Sequence, residues 1–153
     1  MNPAALQNYS RGTERLEAGD IEGAISFLEL AVQQNVAHAS AWCSLGLAYH
    51  NAGRLQEAID AYNRSIEIDP HSVSAYTHLA NAYGRLGLFG AAAEQFHNAL
   101  SLDENFPYAV LGLASAYDRL GDVAQAQHWY RRALQMDLDA AYRQRVEARL
   151  LEI

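Results

Sequence analysis

The chain contains no lysine: all 11 of its basic residues are arginine, set against 18 Asp and Glu for a formal net charge of −7. A protein built to neutralise phosphates carries the opposite balance, so nucleic acid is not an expected partner. Cysteine is almost absent. Cys43 alone forms no intramolecular disulfide, which fits a reducing compartment, and its expected role is that of a small residue on a helix face rather than a nucleophile. Proline is scarce and half the residues are apolar, which excludes a disordered chain. No stretch approaches the ~18 apolar residues of a membrane span, and the opening Met1-Asn2-Pro3-Ala4 has no basic targeting region. The expectation is a cytoplasmic protein that makes no membrane contact.

Signals of catalysis are missing too. There is no Gly-rich phosphate loop opening from a strand and no Gly-x-Ser-x-Gly elbow. Six histidines invite a metal reading, but no two stand at an i, i+3 or i, i+4 spacing that places them on one helix face. The sequence therefore predicts no enzyme, no metal and no cofactor.

What the chain does have is a period. Gly19, Gly53, Gly87 and Gly121 are 34 residues apart, as are Ala24, Ala58, Ala92 and Ala126. Four units follow, 5–38, 39–72, 73–106 and 107–140, with a remainder at 141–153. Each unit holds two runs of helical apolar spacing around its glycine, so each predicts a helix-turn-helix hairpin with the glycine in a left-handed conformation just past the first helix. Asp20 and Asp122 suit the start of the second helix, and Arg54 and Leu88 do not. Small residues pair across every hairpin, Gly12 with Ala24, Gly46 with Ala58, Ala80 with Ala92 and Ala114 with Ala126, which lets two helices approach closely. One hairpin cannot bury both its faces, so the four are expected to stack as a solenoid.

Trp42-x-x-Leu45-Gly46-x-x-Tyr49 followed by Ala58, Tyr62, Ser65 and Pro70 resembles the tetratricopeptide-repeat signature. The third unit matches through Tyr76, Leu79, Ala80, Tyr83, Ala92, Phe96 and Ala99, and the fourth through Leu113, Ala114, Tyr117, Ala126, Tyr130 and Ala133. The first is the most divergent, with Asn8, Arg11 and Arg15 where apolar residues are usual. The fold class this resemblance implies is an all-α solenoid of four repeats plus a C-terminal capping helix.

The resemblance further implies a concave surface lined by the first helix of each repeat, and with it a module that binds a protein or peptide segment as adaptor or assembly factor. Carried onto this sequence, the expected lining includes Tyr9 and Thr13, then Ser44, Leu47, His50 and Asn51, then Thr77, His78, Asn81 and Arg85, then Tyr108, Ser115, Asp118 and Arg119. This reads as a mixed lining rather than a charged trough. Asn81 stands out, because an amide there hydrogen-bonds a peptide main chain whatever its side chains. The two-carboxylate clamp of chaperone-binding relatives has no counterpart: its positions hold Tyr9, Thr13, Ser44, Ser74 and His78. Alternative readings are a self-associating scaffold, hence a homo-oligomer, or the repeat part of a larger multi-component system.

In the remainder, Tyr142, Val146, Leu150 and Ile153 form one apolar stripe, with Arg143, Arg145 and Arg149 expected to point elsewhere. The stripe predicts a lid over the fourth hairpin.

Overall fold

The computed structural model describes residues 2–153, and among them there is helix and no strand. Nine helices run in sequence: α1 (Pro3–Glu17), α2 (Ile21–Gln34), α3 (Ala39–Asn51), α4 (Leu55–Ile68), α5 (Val73–Arg85), α6 (Phe89–Leu102), α7 (Pro107–Leu120), α8 (Val123–Leu134) and α9 (Ala140–Glu152). The first eight pack as consecutive antiparallel pairs, α2, α4 and α6 each also touch the pair that follows, and α9 lies against α8.

Every hairpin turns in the same way. Gly19, Gly53, Gly87 and Gly121 have φ of 80°, 78°, 76° and 79°, the left-handed region that a side chain would disfavour. The next amide then donates back to the helix just ended, as in Arg54 N–H to the Tyr49 carbonyl at 2.8 Å and Asp122 N–H to that of Tyr117 at 3.0 Å. Asp20 and Asp122 cap α2 and α8 by accepting from Gly23 and Gln125, whereas α4 and α6 start at Arg54 and Leu88 without a side-chain cap. A further column closes the other end of the first three pairs: Asn35, Asp69 and Asp103, again 34 apart, accept from the amides of Ala37, His71 and Asn105. These side chains fix the turn from one hairpin to the next.

The small columns do more than admit a neighbouring helix. Leu28, Tyr62, Phe96 and Tyr130 occupy one position of the period, and each is buried. Tyr62 lies over Gly46 of its own hairpin, where an added Cβ would meet ring carbons at 2.6 Å, and Leu28 stands in the same way over Gly12. The other side of Tyr62 stacks on His78 of the following hairpin, ring centroids 5.7 Å apart, and Phe96 fills the space above Gly112 of the next. One large side chain per hairpin thus packs both within the pair and onto its successor. The first unit's polar departures are accommodated at the surface: Arg11 and Arg15 lie 5.8 and 6.0 Å from the Phe27 ring, and Asn8 bonds Gln34.

Helix α9 buries Val146, with Leu150 and Ile153 packed beside it against Tyr130 and Ala126. Tyr142 departs from the expected stripe. It is 39% exposed and meets Tyr108 edge to face at 6.4 Å. The arginines also differ from expectation. Arg149 reaches back to Asp118 on α7 through two bonds of 2.7 and 2.8 Å, and Arg143 donates to the carbonyls of Leu134 and Met136 at the end of α8. Helical spacing shows which face a residue shares and not how far a long side chain bends around it, which is how two arginines off the stripe come to anchor the helix.

The Tyr62 packing gives a direct test. Replacing Gly46 by Ala is expected to destabilise the fold by about 1–3 kcal/mol, because the ring must shift in a filled core, outweighing the ~1 kcal/mol gained in helix propensity. Gly84→Ala, where an added Cβ meets nothing within 4 Å, is expected to be neutral or stabilising. Urea melts of the two variants check this, and equal midpoints would mean that the ring at position 62 is free to move.

Candidate functional site

The inner helices bring most of the expected lining together. A cavity of about 480 Å³ is walled by Leu47, His50 and Asn51 of α3, His78, Asn81 and Arg85 of α5, and Ser115 and Arg119 of α7, with Phe89 and Phe96 of α6 as its floor. A second, of about 490 Å³, adjoins it through the shared Asn81, Gly112 and Ser115, and runs past Tyr108 and Leu111 to Tyr142, Arg145 and Arg149 of α9. Tyr9 and Ser44 are elsewhere, in a hydroxyl-rich hollow of about 240 Å³ with Ser65, Ser72 and Ser74.

Three expected residues, Thr13, Thr77 and Asp118, do not join any of these walls. Thr77 is buried, and its hydroxyl donates to the Val73 carbonyl one turn back at 2.9 Å, so it faces the core rather than the groove. Thr13 bonds the Ser10 carbonyl in the same manner. In a helix a threonine hydroxyl readily satisfies itself on the preceding turn, and nothing in the spacing announces that it will. Conversely, Gly112, Phe89, Phe96 and the α9 side chains line the cavities without having been expected. Position 112 occupies the same place in the period as His78, which was the available signal.

The electrostatics also differ from expectation. No acidic side chain lines either adjoining cavity. Asp118, assigned to the groove from its position, turns to Arg149 and accepts from the Tyr130 hydroxyl at 3.1 Å. The arginines stay. Arg85 donates to the His50 carbonyl near the end of α3 at 2.9 Å, and Arg119 lies 4.7 Å over the Phe89 ring. Burial, then Arg85 and His78, hold His50 below the ordinary imidazole value, and burial lowers His78 likewise. Both are therefore neutral at pH 7, and the buried Nδ1 of His50 has no hydrogen-bond partner. The lining is a positively charged furrow in a protein of net negative charge.

Nothing here activates Cys43. Burial pushes its thiol up to about 11, so at neutral pH it is protonated and a poor nucleophile.

Family models described as tetratricopeptide repeat match residues 39–72 and 85–150, roughly two thirds of the chain between them. The chain belongs to the tetratricopeptide-repeat family. Solved structures agree on the fold. The chain is similar to a crystal structure of MamA protein, with 22% identity and a TM-score of 0.82, covering 89% of this chain and 74% of that one. It is similar to the Arabidopsis OM64 TPR domain, with 23% identity and a TM-score of 0.74, covering 75% and 95%. It is also similar to the first TPR of Spaghetti (RPAP3) bound to the HSP90 peptide SRMEEVD, with 25% identity and a TM-score of 0.70, covering 74% and 88%. No curated protein sequence matches the chain.

Helix α9 forms the far end of the second cavity, and the Arg149–Asp118 pair that anchors it is expected to make its docking sensitive to pH. Hydrogen bonds from Arg149, opposed by burial and helped by Tyr130, hold the Asp118 carboxyl below the usual carboxylate range. A depressed folded value means that the carboxylate contributes stability in full above the unfolded Asp value of about 3.9 and loses it as the pH falls through the folded one. Asp118→Asn is expected to melt a few degrees lower at pH 7, with the gap to wild type closing as the pH is taken below about 4. Thermal melts followed by circular dichroism check this, and a gap that stays constant down to acid would show that the pair contributes nothing.

Proposed function

We propose that the chain is a non-enzymatic binding module in which four repeats, 5–38, 39–72, 73–106 and 107–140, hold a peptide or protein segment in their concave groove, with 141–153 as a lid that completes its far end. In this reading the protein is an adaptor or assembly factor. The observation that carries it is the pair of adjoining cavities on the inner helices, which share Asn81, Gly112 and Ser115 and so offer one continuous path from α3 to α9. The path combines free amides at Asn51 and Asn81 with aromatic surface at Tyr108, which is 59% exposed. Exposed amides suit a ligand main chain, and exposed aromatics suit its apolar side chains. A similar repeat domain is bound to a peptide, which supports a segment rather than a small molecule as the occupant.

A photocrosslinking side chain placed at Asn81 tests the groove directly, with one at Glu94 on the outer helix α6 as the control. The expected result is a crosslinked protein from a lysate of the source cells at position 81 and not at 94. With that protein as ligand, Asn81→Ala is expected to weaken binding by about 1–2 kcal/mol without lowering the melting temperature. Crosslinks from 94 alone, or unchanged affinity in the Ala variant, would move the binding surface out of the groove.

A further inference from the structure

We propose that the segment held in this groove is acidic: an extended stretch whose internal carboxylates meet Arg85, Arg119 and Arg145, and whose apolar side chains rest against Tyr108 and Tyr142. The proposal rests on the groove being the binding surface and adds the chemistry of what binds there.

Charge is distributed against the average. Of 18 acidic residues none lines the two adjoining cavities, while four of the 11 arginines do. Arg149 is committed to Asp118 and Glu152. Among the described residues the other three form no ion pair. Arg85 is held by a backbone carbonyl, Arg119 by the Phe89 ring and Arg145 by that of Tyr142 at 5.9 Å. Each contact orients the guanidinium without pairing it to a carboxylate, so the forked N–H groups are already placed for a planar anion. Outside the cavities Arg15, Arg54 and Arg64 pair with a carboxylate within 3.0 Å, whereas Arg11, Arg131, Arg132 and Arg143 form no ion pair among the described residues, so what distinguishes the groove is walls that hold arginine and no acidic side chain. Neutral His50 and His78 stand on the same wall as Arg85 and Arg119 and add no charge to it.

An anion is what this surface lacks, and the remainder of the molecule limits its kind. Removing the four groove arginines from the net charge of −7 leaves the rest of the protein at −11. A long polyanion such as a nucleic acid extends beyond the furrow into that field, whereas a short acidic segment stays inside it. At about 0.15 M salt the screening length is ~8 Å, so distant carboxylates weigh little on a segment in contact with the guanidinium groups.

The test uses the whole protein and fluorescein-labelled peptides of roughly ten residues, about 33 Å when extended. One alternates Glu with Leu and Tyr, and its counterparts carry Gln or Lys for Glu. All are amidated at the C-terminus, so only internal carboxylates are offered. Fluorescence anisotropy at about 0.15 M salt is expected to show the Glu peptide binding about tenfold tighter than the Gln peptide. The Arg85→Gln, Arg119→Gln double variant is expected to remove that preference while keeping the wild-type melting temperature. Equal binding of the Glu and Gln peptides overturns the proposal, as does tighter binding of the Lys peptide or of an oligo-dT strand, or a preference that survives in the double variant. If no peptide binds while the Asn81 crosslink persists, the acidic assignment falls and the groove reading stands.

Discussion

One large buried side chain per hairpin, seated where the facing helix has shrunk to glycine or alanine, is the constraint on which the architecture depends. Tyr62 shows it most fully. Its ring rests on Gly46 within the pair and on His78 of the next, so the same residue sets the spacing inside a hairpin and the stacking between hairpins. Because Phe96 does the corresponding work above Gly112, the inner helices α5 and α7 are positioned by outer-helix aromatics rather than by one another. The groove is therefore a by-product of packing behind it. Exposed wall positions such as Asn51 and Asn81 carry little of the core, whereas His78 and Phe96 serve the wall and the packing at once.

That division explains what was legible in the sequence. The glycine column could be read because a left-handed backbone admits few alternatives, and the four observed φ values follow from it. The hairpins could be read because apolar spacing of 3.6 over a 34-residue period has one simple solution. Most of the expected wall residues, from Leu47 to Arg119, also fall on the cavities, since a position in a repeat fixes a direction in space. Directions were the limit of it. Thr77 points inward at its position and satisfies itself there, and Gly112 went unnoticed because a residue without a side chain offers no chemistry to read, although its absence of one is what admits the Phe96 ring that forms the floor.

The charges were the least legible part. Arg149 and Asp118 are 31 residues apart and belong to different helices, so no spacing rule joins them. Once they pair, two consequences follow together. The helix α9 gains an anchor that its single buried valine does not supply, and the one carboxylate facing the groove is taken out of it. A lining that looks mixed in charge when read position by position keeps only positive charges when the pairs are formed.

On the proposed reading α9 is part of the binding surface as well as the cover for the fourth hairpin. Its Tyr142 stays half in solvent beside Tyr108 instead of filling the core, and its Arg145 faces the second cavity. Were the helix only a lid, its stripe would be expected to bury Tyr142, the largest apolar surface it has. Leaving that ring exposed against another exposed tyrosine forgoes burial that the lid alone would favour. The same two rings form an aromatic edge at the end of a cationic furrow, and so join the apolar and the charged requirements of a ligand in one place. The exposed edge is thus what the proposed acidic segment requires and what a lid alone does not.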